Sequence, residues 1–100
     1  MIRKDLELKA RIFRGLAEPS RLAIMHSLMD GPKTVSELVR ATKLTQPNVS
    51  LHLSCLLWEC RLVTRERSGK NTYYSMVNGR VRKLLDATDK LSEKIFAIKR

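Results

Sequence analysis

The sequence predicts a mainly α-helical domain carrying one small β-hairpin, in the order α-α-α-α-β-β-α. Three observations predict it. Apolar residues recur at three- and four-residue spacing through most of the 100 residues. The departure is the stretch 62–77, where β-branched and aromatic residues flank a Ser68-Gly69-Lys70-Asn71 turn signal. Strong breakers at Pro19, Asp30-Gly31-Pro32 and Pro47 divide the helical pattern into short pieces.

Each element carries its own signals. Leu6, Ile12, Phe13 and Leu16 mark a first helix ending near 15–17. Pro19 suits the opening turn of a second, with Leu22, Ile24, Met25 and Leu28 as its buried face. Thr34 and Glu37 have capping-box spacing at the head of a short third helix, Val35–Thr42. Thr45 caps a fourth, in which Val49, Leu53, Leu56 and Leu57 keep helical spacing to about Glu59. Strands over 62–67 and 71–77 follow, joined by the turn at 68–70. From Gly79 the helical pattern returns through Val81, Leu84, Leu85, Leu91, Ile95 and Phe96. Two short consecutive helices and then a basic hairpin are the layout of a winged helix-turn-helix. No repeat or low-complexity tract interrupts the chain, so 1–100 is expected to form one domain.

Twenty Lys and Arg against ten Asp and Glu give a net charge of +10, which points to a polyanionic partner. Placement says more than the total. Residues 22–60 are neutral on balance, whereas 61–72 set Arg61, Arg65, Arg67 and Lys70 against Glu66 alone, the densest excess in the chain. No apolar run approaches the roughly 18 residues of a membrane span. The N-terminal stretch mixes charges of both signs, unlike a signal peptide, and a cytoplasmic location is expected. Two Cys make no disulfide framework. No Ser/His/Asp set, phosphate-cradling glycine loop or paired-carboxylate motif suggests an enzyme.

The segment 45–54, TQPNVSLHLS, fits a helix that reads DNA. Val49 and Leu53 face inward, while Gln46, Asn48, Ser50, His52 and Ser54 offer uncharged hydrogen-bonding groups. Gln and Asn can bond adenine bidentately, and Ser can reach bases or phosphate. Amides near Thr45 can meet a phosphate at the helix N-terminus. Leu51 lies about 200° from Val49 around a helix, outside the core, where it can touch a thymine methyl or simply be exposed. An ordinary solvated face would hold more Lys and Glu.

These residues resemble the ArsR/SmtB family of bacterial repressors. Gly15-Leu16-Ala17-Glu18-Pro19-Ser20-Arg21-Leu22-Ala23-Ile24 is similar to its N-terminal signature. Thr34-Val35-Ser36-Glu37-Leu38 and Leu44-Thr45-Gln46-Pro47-Asn48-Val49-Ser50-Leu51-His52-Leu53 resemble its helix-turn-helix, and Leu62-Val63 with Tyr73-Tyr74 resemble its wing. The resemblance implies a homodimeric repressor, paired through its first and last helices on an imperfectly palindromic double-stranded operator. Thr34, Thr45, Gln46, Asn48, Ser50, Leu51 and His52 would then contact DNA, with Arg65, Arg67, Lys70 and Asn71 as wing contacts.

The resemblance also implies release by a metal ion or another chemical event. The cysteine pair of arsenic and cadmium sensors has no counterpart in Lys33-Thr34-Val35-Ser36-Glu37. The zinc positions of the last helix align with Asn78, Arg80, Leu91 and Lys94, which are not zinc ligands. Cys55 and Cys60 resemble the placement in a cadmium/lead sensor of the family, and thiolates suit cadmium, lead or zinc as inducer. The pair is five residues apart rather than four, about 140° around an intact helix, and the sequence has no third Cys. Packing residues, soft-metal ligands and oxidisable thiols all remain open readings, and no cofactor is required. His26 is expected to be structural or on the surface, and Trp58 to pack between helix end and wing. The competing functions are a constitutive or partner-controlled regulator and a dimerisation or anti-repressor module. A basic RNA- or membrane-surface binder is disfavoured, because aromatics are only 5% and no basic amphipathic helix stands out.

Overall fold

The structure, a computed structural model, describes residues 2–97. Its helices are α1 (Arg3–Leu16), α2 (Pro19–Ser27), α3 (Val35–Thr42), α4 (Gln46–Trp58) and α5 (Gly79–Phe96). Strands β1 (Val63–Ser68) and β2 (Asn71–Met76) form the hairpin, and a 3-10 turn at Leu28–Asp30 closes α2. The predicted order holds. The strands differ by a residue at three of their ends: Ser68 pairs with Asn71, leaving Gly69-Lys70 as a two-residue turn. Gly69 at φ +62° supplies the backbone conformation such a turn requires at its first position.

Local chemistry starts the two central helices. At α3, the Glu37 amide donates to Thr34 Oγ1 (3.2 Å) and the Thr34 amide donates to Glu37 Oε1 (2.9 Å), a complete capping box. At α4, Thr45 Oγ1 accepts from the Asn48 amide at 3.3 Å. Between them Lys43 takes a left-handed conformation, φ 61°, which turns the chain from one helix into the next.

The core lies where α2, α3, α4, β1 and α5 converge. Ile24, Met25, Leu28, Leu38, Val49, Leu53, Leu56, Val63, Val81 and Leu85 are all buried there. Each large apolar side chain so buried contributes about 1.5–3 kcal/mol of transfer free energy. The hairpin is fixed to the helices by a contact with no sequence signal. Lys33 and Tyr74 exchange both backbone hydrogen bonds (3.0 and 2.8 Å), so the residue before Thr34 forms a single antiparallel bridge to β2. His26, on the rim, pairs its Nε2 with Asp89 Oδ1 at 3.6 Å and ties α2 to α5.

The first and last helices each present a second apolar face outward. On α1, Ile12 and Leu16 pack against the core while Leu6, Leu8 and Phe13 are exposed. On α5, Val81 and Leu85 are buried while Leu91, Ile95 and Phe96 are exposed. Among the described residues no helix is long and apolar enough to cross a membrane.

Candidate nucleic-acid interface

Helix α4 divides its sides as its sequence pattern requires. Val49, Leu53 and Leu56 are buried, whereas Gln46, Asn48, Ser50 and Ser54 are exposed. Leu51 is 66% exposed and lies outside the core. Pro47 near the first turn loses nothing, because its missing N–H would have had no partner within the helix. Thr45 is exposed and Thr34 half-buried, both with their hydroxyls accepting cap bonds.

His52 is the member of the polar set that the structure directs elsewhere. Its side chain is only 18% exposed, and its Nε2 lies 3.7 Å from Glu18 Oε2. Its Nδ1 lies 3.5 Å from Arg21 Nη1. Arg21 also donates from Nε to the Gly15 carbonyl (2.7 Å) and from Nη2 to the Arg14 carbonyl (3.1 Å). One guanidinium thus caps the end of α1 and reaches the middle of α4. Glu18 Oε2 accepts from the Arg21 amide at 2.9 Å. That bond, first, with help from the charges of His52 and Arg21, holds the Glu18 carboxyl below its ordinary range. His52 therefore anchors the helix in this structure rather than facing outward with Ser50. Nothing in the spacing of 45–54 distinguishes it, because its partners are about thirty residues upstream. Arg21 and Glu18 were visible in the sequence only as parts of the family signature.

The wing presents Arg65, Arg67, Lys70 and Asn71, all exposed. Arg67 Nε donates to the Gly69 carbonyl at 3.3 Å, folding over the turn. The Arg65 guanidinium lies 5.4 Å from the centroid of the Trp58 ring. Trp58 itself is 61% exposed, so the expected packing of this ring between helix and wing is corrected to an open cation–π stack. A shallow groove joins the head of α3 to the wing, lined by Thr34, Ser36, Arg40, Lys70, Asn71 and Tyr73.

The far end of α4 is different. The helix stops at Trp58, and Arg61 turns the chain in a left-handed conformation, φ 55°. The Cys60 amide donates back to the Cys55 carbonyl at 3.3 Å, a wider turn than the α-helical one. The 140° separation of an intact helix therefore does not apply. Cys55 and Cys60 both line an open cleft of about 490 Å³, with Arg11, Arg14 and Gly15 of α1, Arg21 of α2, and Glu59. Both thiols are free. Cys60 is 8% exposed, and its Sγ lies 3.9 Å from the Cys55 and Leu56 carbonyl oxygens. The Cys55 thiol is 3.7 Å from Glu59 Oε2. Burial, with smaller contributions from Glu59 and Cys60, pushes the Cys55 thiol up against the opposing pull of Arg21. Among the described residues no three His, Cys, Asp or Glu side chains form a group that could hold a metal ion.

Two capped helices meeting at a tight turn, with a basic hairpin behind them, define a winged helix-turn-helix domain of the DNA-binding class. The chain belongs to the bacterial ArsR family of regulatory proteins, whose family model matches residues 18–65. It is 42% identical over 76 residues to a probable mercury resistance operon repressor of Streptomyces lividans, covering 76% of this chain and 60% of that protein. It is 37% identical over 76 residues to the transcriptional regulator CmtR of Mycobacterium bovis, covering 76% of this chain and 64% of that one. The chain thus spans about three-fifths of the length of these curated relatives. In fold it is similar to a homodimeric winged helix-turn-helix DNA-binding domain from Mycobacterium bovis. The TM-score is 0.86 at 26% identity, covering 100% of this chain and 94% of that one. NolR from Sinorhizobium fredii is likewise similar, with TM-score 0.77 and 34% identity over 92% of this chain and 88% of that one. The named relatives are regulators rather than enzymes.

Proposed function

We propose that the chain is a sequence-specific, homodimeric DNA-binding repressor acting on an imperfect palindrome. The observation that carries this reading is the exposed, uncharged face of Gln46, Asn48 and Ser50 on a helix held rigidly by Val49, Leu53 and Leu56. Short amide and hydroxyl side chains on a fixed helix can read base edges in the major groove. Arg65, Arg67 and Lys70 supply affinity through phosphate, and Thr34, Thr45 and Asn71 fix the register. The exposed Leu51 would touch a thymine methyl or simply remain exposed, and His52 would act by anchoring the helix. The unpaired apolar faces of α1 and α5 support pairing with a second copy, as does the homodimeric fold relative. An inducer that acts on Cys55 and Cys60 would release the DNA. Cadmium, lead or zinc, or oxidation of the thiols, are the chemistries open to that pair, and the mercury-resistance relative favours a soft ion.

The test is fluorescence anisotropy with labelled DNA from the region upstream of the gene, over a series of salt concentrations. A two-fold symmetric site should bind far more tightly than scrambled DNA of the same length, with one dimer per site. Equal affinity for both at every salt concentration would overturn the repressor reading.

A further inference from the structure

The cleft between α1 and the end of α4 gathers more positive charge than its own walls neutralise. Arg11 and Arg14 of α1 and Arg21 of α2 line it, against Glu59 as its single carboxylate. Two of the three guanidinium groups are fastened by neutral acceptors. Arg11 Nη2 donates to the Glu59 carbonyl, and Arg21 donates from Nε and Nη2 to the Gly15 and Arg14 carbonyls. The Arg14 side chain makes no hydrogen bond or ion pair among the described residues. Glu18, the carboxylate nearest in sequence to Arg21, is turned to His52 and the Arg21 amide. Like charges held at fixed positions repel one another, and a bound anion removes that cost.

A glycine brings these walls together. Gly15 is buried, and a Cβ built on it would fall 2.8 Å from Cys60 Cβ and closer still to its Sγ. Any larger residue at 15 would push Cys60 away, so the end of α4 seats against α1 only because position 15 is glycine. Cys60 thereby becomes part of the cleft's lining, beside the arginines of α1 and α2.

We infer that this cleft binds a phosphate dianion, free or carried by a small phosphomonoester, and that Arg21 passes its occupancy to the reading helix. The site itself goes beyond the repressor reading, and the coupling to DNA rests on that reading. Three guanidinium groups against one carboxylate leave two positive charges, which a phosphate dianion matches and a carboxylate monoanion does not. Guanidinium forks bind phosphate oxygens bidentately. A volume of about 490 Å³ leaves room for an organic group beyond the phosphate. Arg21 is the route onward, because its Nη1 lies 3.5 Å from His52 Nδ1 on α4. A charge-assisted bond to phosphate is stronger than that contact, so an occupant draws the guanidinium from His52 and loosens α4. DNA affinity should then fall.

Inorganic phosphate and ribose 5-phosphate are the probes, used separately on the reduced chain at about pH 7.5, where both are mainly dianions. Sodium chloride holds the ionic strength constant. Calorimetric titration should show one saturable site per chain, and occupancy should raise the melting temperature where chloride alone does not. Tighter binding of ribose 5-phosphate assigns the rest of the cleft to the organic group, and equal or weaker binding assigns the site to free phosphate. Arg14→Ala should weaken binding about tenfold or more, because it removes the guanidinium that has no other bond. Lys83→Ala removes the same charge from the exposed side of α5 and should bind as wild type does. No saturable site in the wild-type chain, or equal behaviour of the two variants, would overturn the site.

Coupling is read by anisotropy on operator DNA at the same ionic strength. With the tighter-binding probe at saturation, the wild-type chain should bind DNA about fivefold or more weakly, and Arg14→Ala should not respond. An unchanged wild-type affinity would exclude the relay through Arg21, and an undiminished response in Arg14→Ala would place the anion elsewhere. If Arg14→Ala with no anion binds DNA as weakly as Arg65→Ala does, the cleft contacts DNA phosphate and is no effector site. Failure of the wild-type chain to prefer any DNA would sink the repressor reading alone. The calorimetry of wild type, Arg14→Ala and Lys83→Ala would still decide the site.

Discussion

The two ends of α4 are built on opposite rules. At the N-terminal end Gln46, Asn48 and Ser50 project from the domain, beside the cap from Thr45 and the buried Val49. At the C-terminal end Cys60 is seated on Gly15 and the Glu59 carbonyl is held by Arg11. His52 sits between, bound to Glu18 and Arg21. An open end can read DNA because its side chains have unspent hydrogen-bonding capacity. A fastened end can transmit, because any change there must move something else. One helix and the two residues that follow it hold both arrangements.

The harshest break removes what both ends share. Leu53 and Leu56 are buried on the inner face, and truncating either to Ala should cost about 2–5 kcal/mol, read by urea denaturation. Leu51→Ala on the outer face should change stability by no more than about 0.5 kcal/mol. If Leu51→Ala instead costs as much as Leu56→Ala, the division of α4 into inner and outer faces is wrong.

A gentler break silences only the open end. Gln46→Ala with Ser50→Ala should leave folding and pairing intact while erasing preference for the operator. A good bidentate base contact carries about 1–3 kcal/mol of discrimination, so specific affinity should fall roughly tenfold to a hundredfold while non-specific affinity holds. His52→Ala should behave differently: it frees the anchor to Glu18 and Arg21, so it should cost stability as well as binding. A His52 variant that loses base preference at one position with no loss of stability would return this side chain to the reading face.

What was legible in the sequence follows the range of the interactions. The Thr34–Glu37 box and the Thr45 cap are local hydrogen bonds within three residues, and their sequence patterns located both helix starts. The apolar spacing of Val49, Leu53 and Leu56 fixed the inner face for the same reason. The apolar spacing placed the end of α4 within a residue, but the state of Cys55 and Cys60 was not legible, because it depends on how the chain turns at that end. That end is made by Arg61 in a left-handed conformation, where Gly or Asn is the usual signal. The roles of His52 and Gly15 were hidden too, since their partners, Glu18 and Arg21 for one and Cys60 for the other, lie far along the chain.

Arg65 gives a smaller, graded test at the wing. Arg65→Ala should weaken binding to all DNA sequences alike and lower the salt slope by about one. Trp58→Ala should do the same in part, because the stack that holds the guanidinium is worth about 0.5–1 kcal/mol at an exposed site. Trp58→Phe should recover most of that loss. Unequal losses on operator and scrambled DNA would mean that Arg65 reads bases.

The smallest effect concerns acid and compares the heads of α3 and α4. The Thr34 amide, and secondarily its hydroxyl, hold the Glu37 carboxyl below its ordinary value near 4.5, with Arg40 and Lys33 adding charge. A lowered carboxyl stabilises the fold fully above its unfolded value, and that contribution drains away as pH falls through the folded one. The cap of α4 is the uncharged hydroxyl of Thr45, which does not titrate in this range. Lowering the pH through and below 4.5 should therefore loosen the head of α3 before that of α4. Hydrogen exchange followed by NMR reads this directly: the Thr34 amide, which donates to the Glu37 carboxylate, should lose protection first, while the Asn48 amide keeps its own. In Glu37→Gln the early loss at α3 should vanish, because the amide cannot be protonated over the same range. Simultaneous loss at Thr34 and Asn48 would mean that the two helix heads open as one unit, and that the N-terminal end of α4 is less independent than its own cap implies.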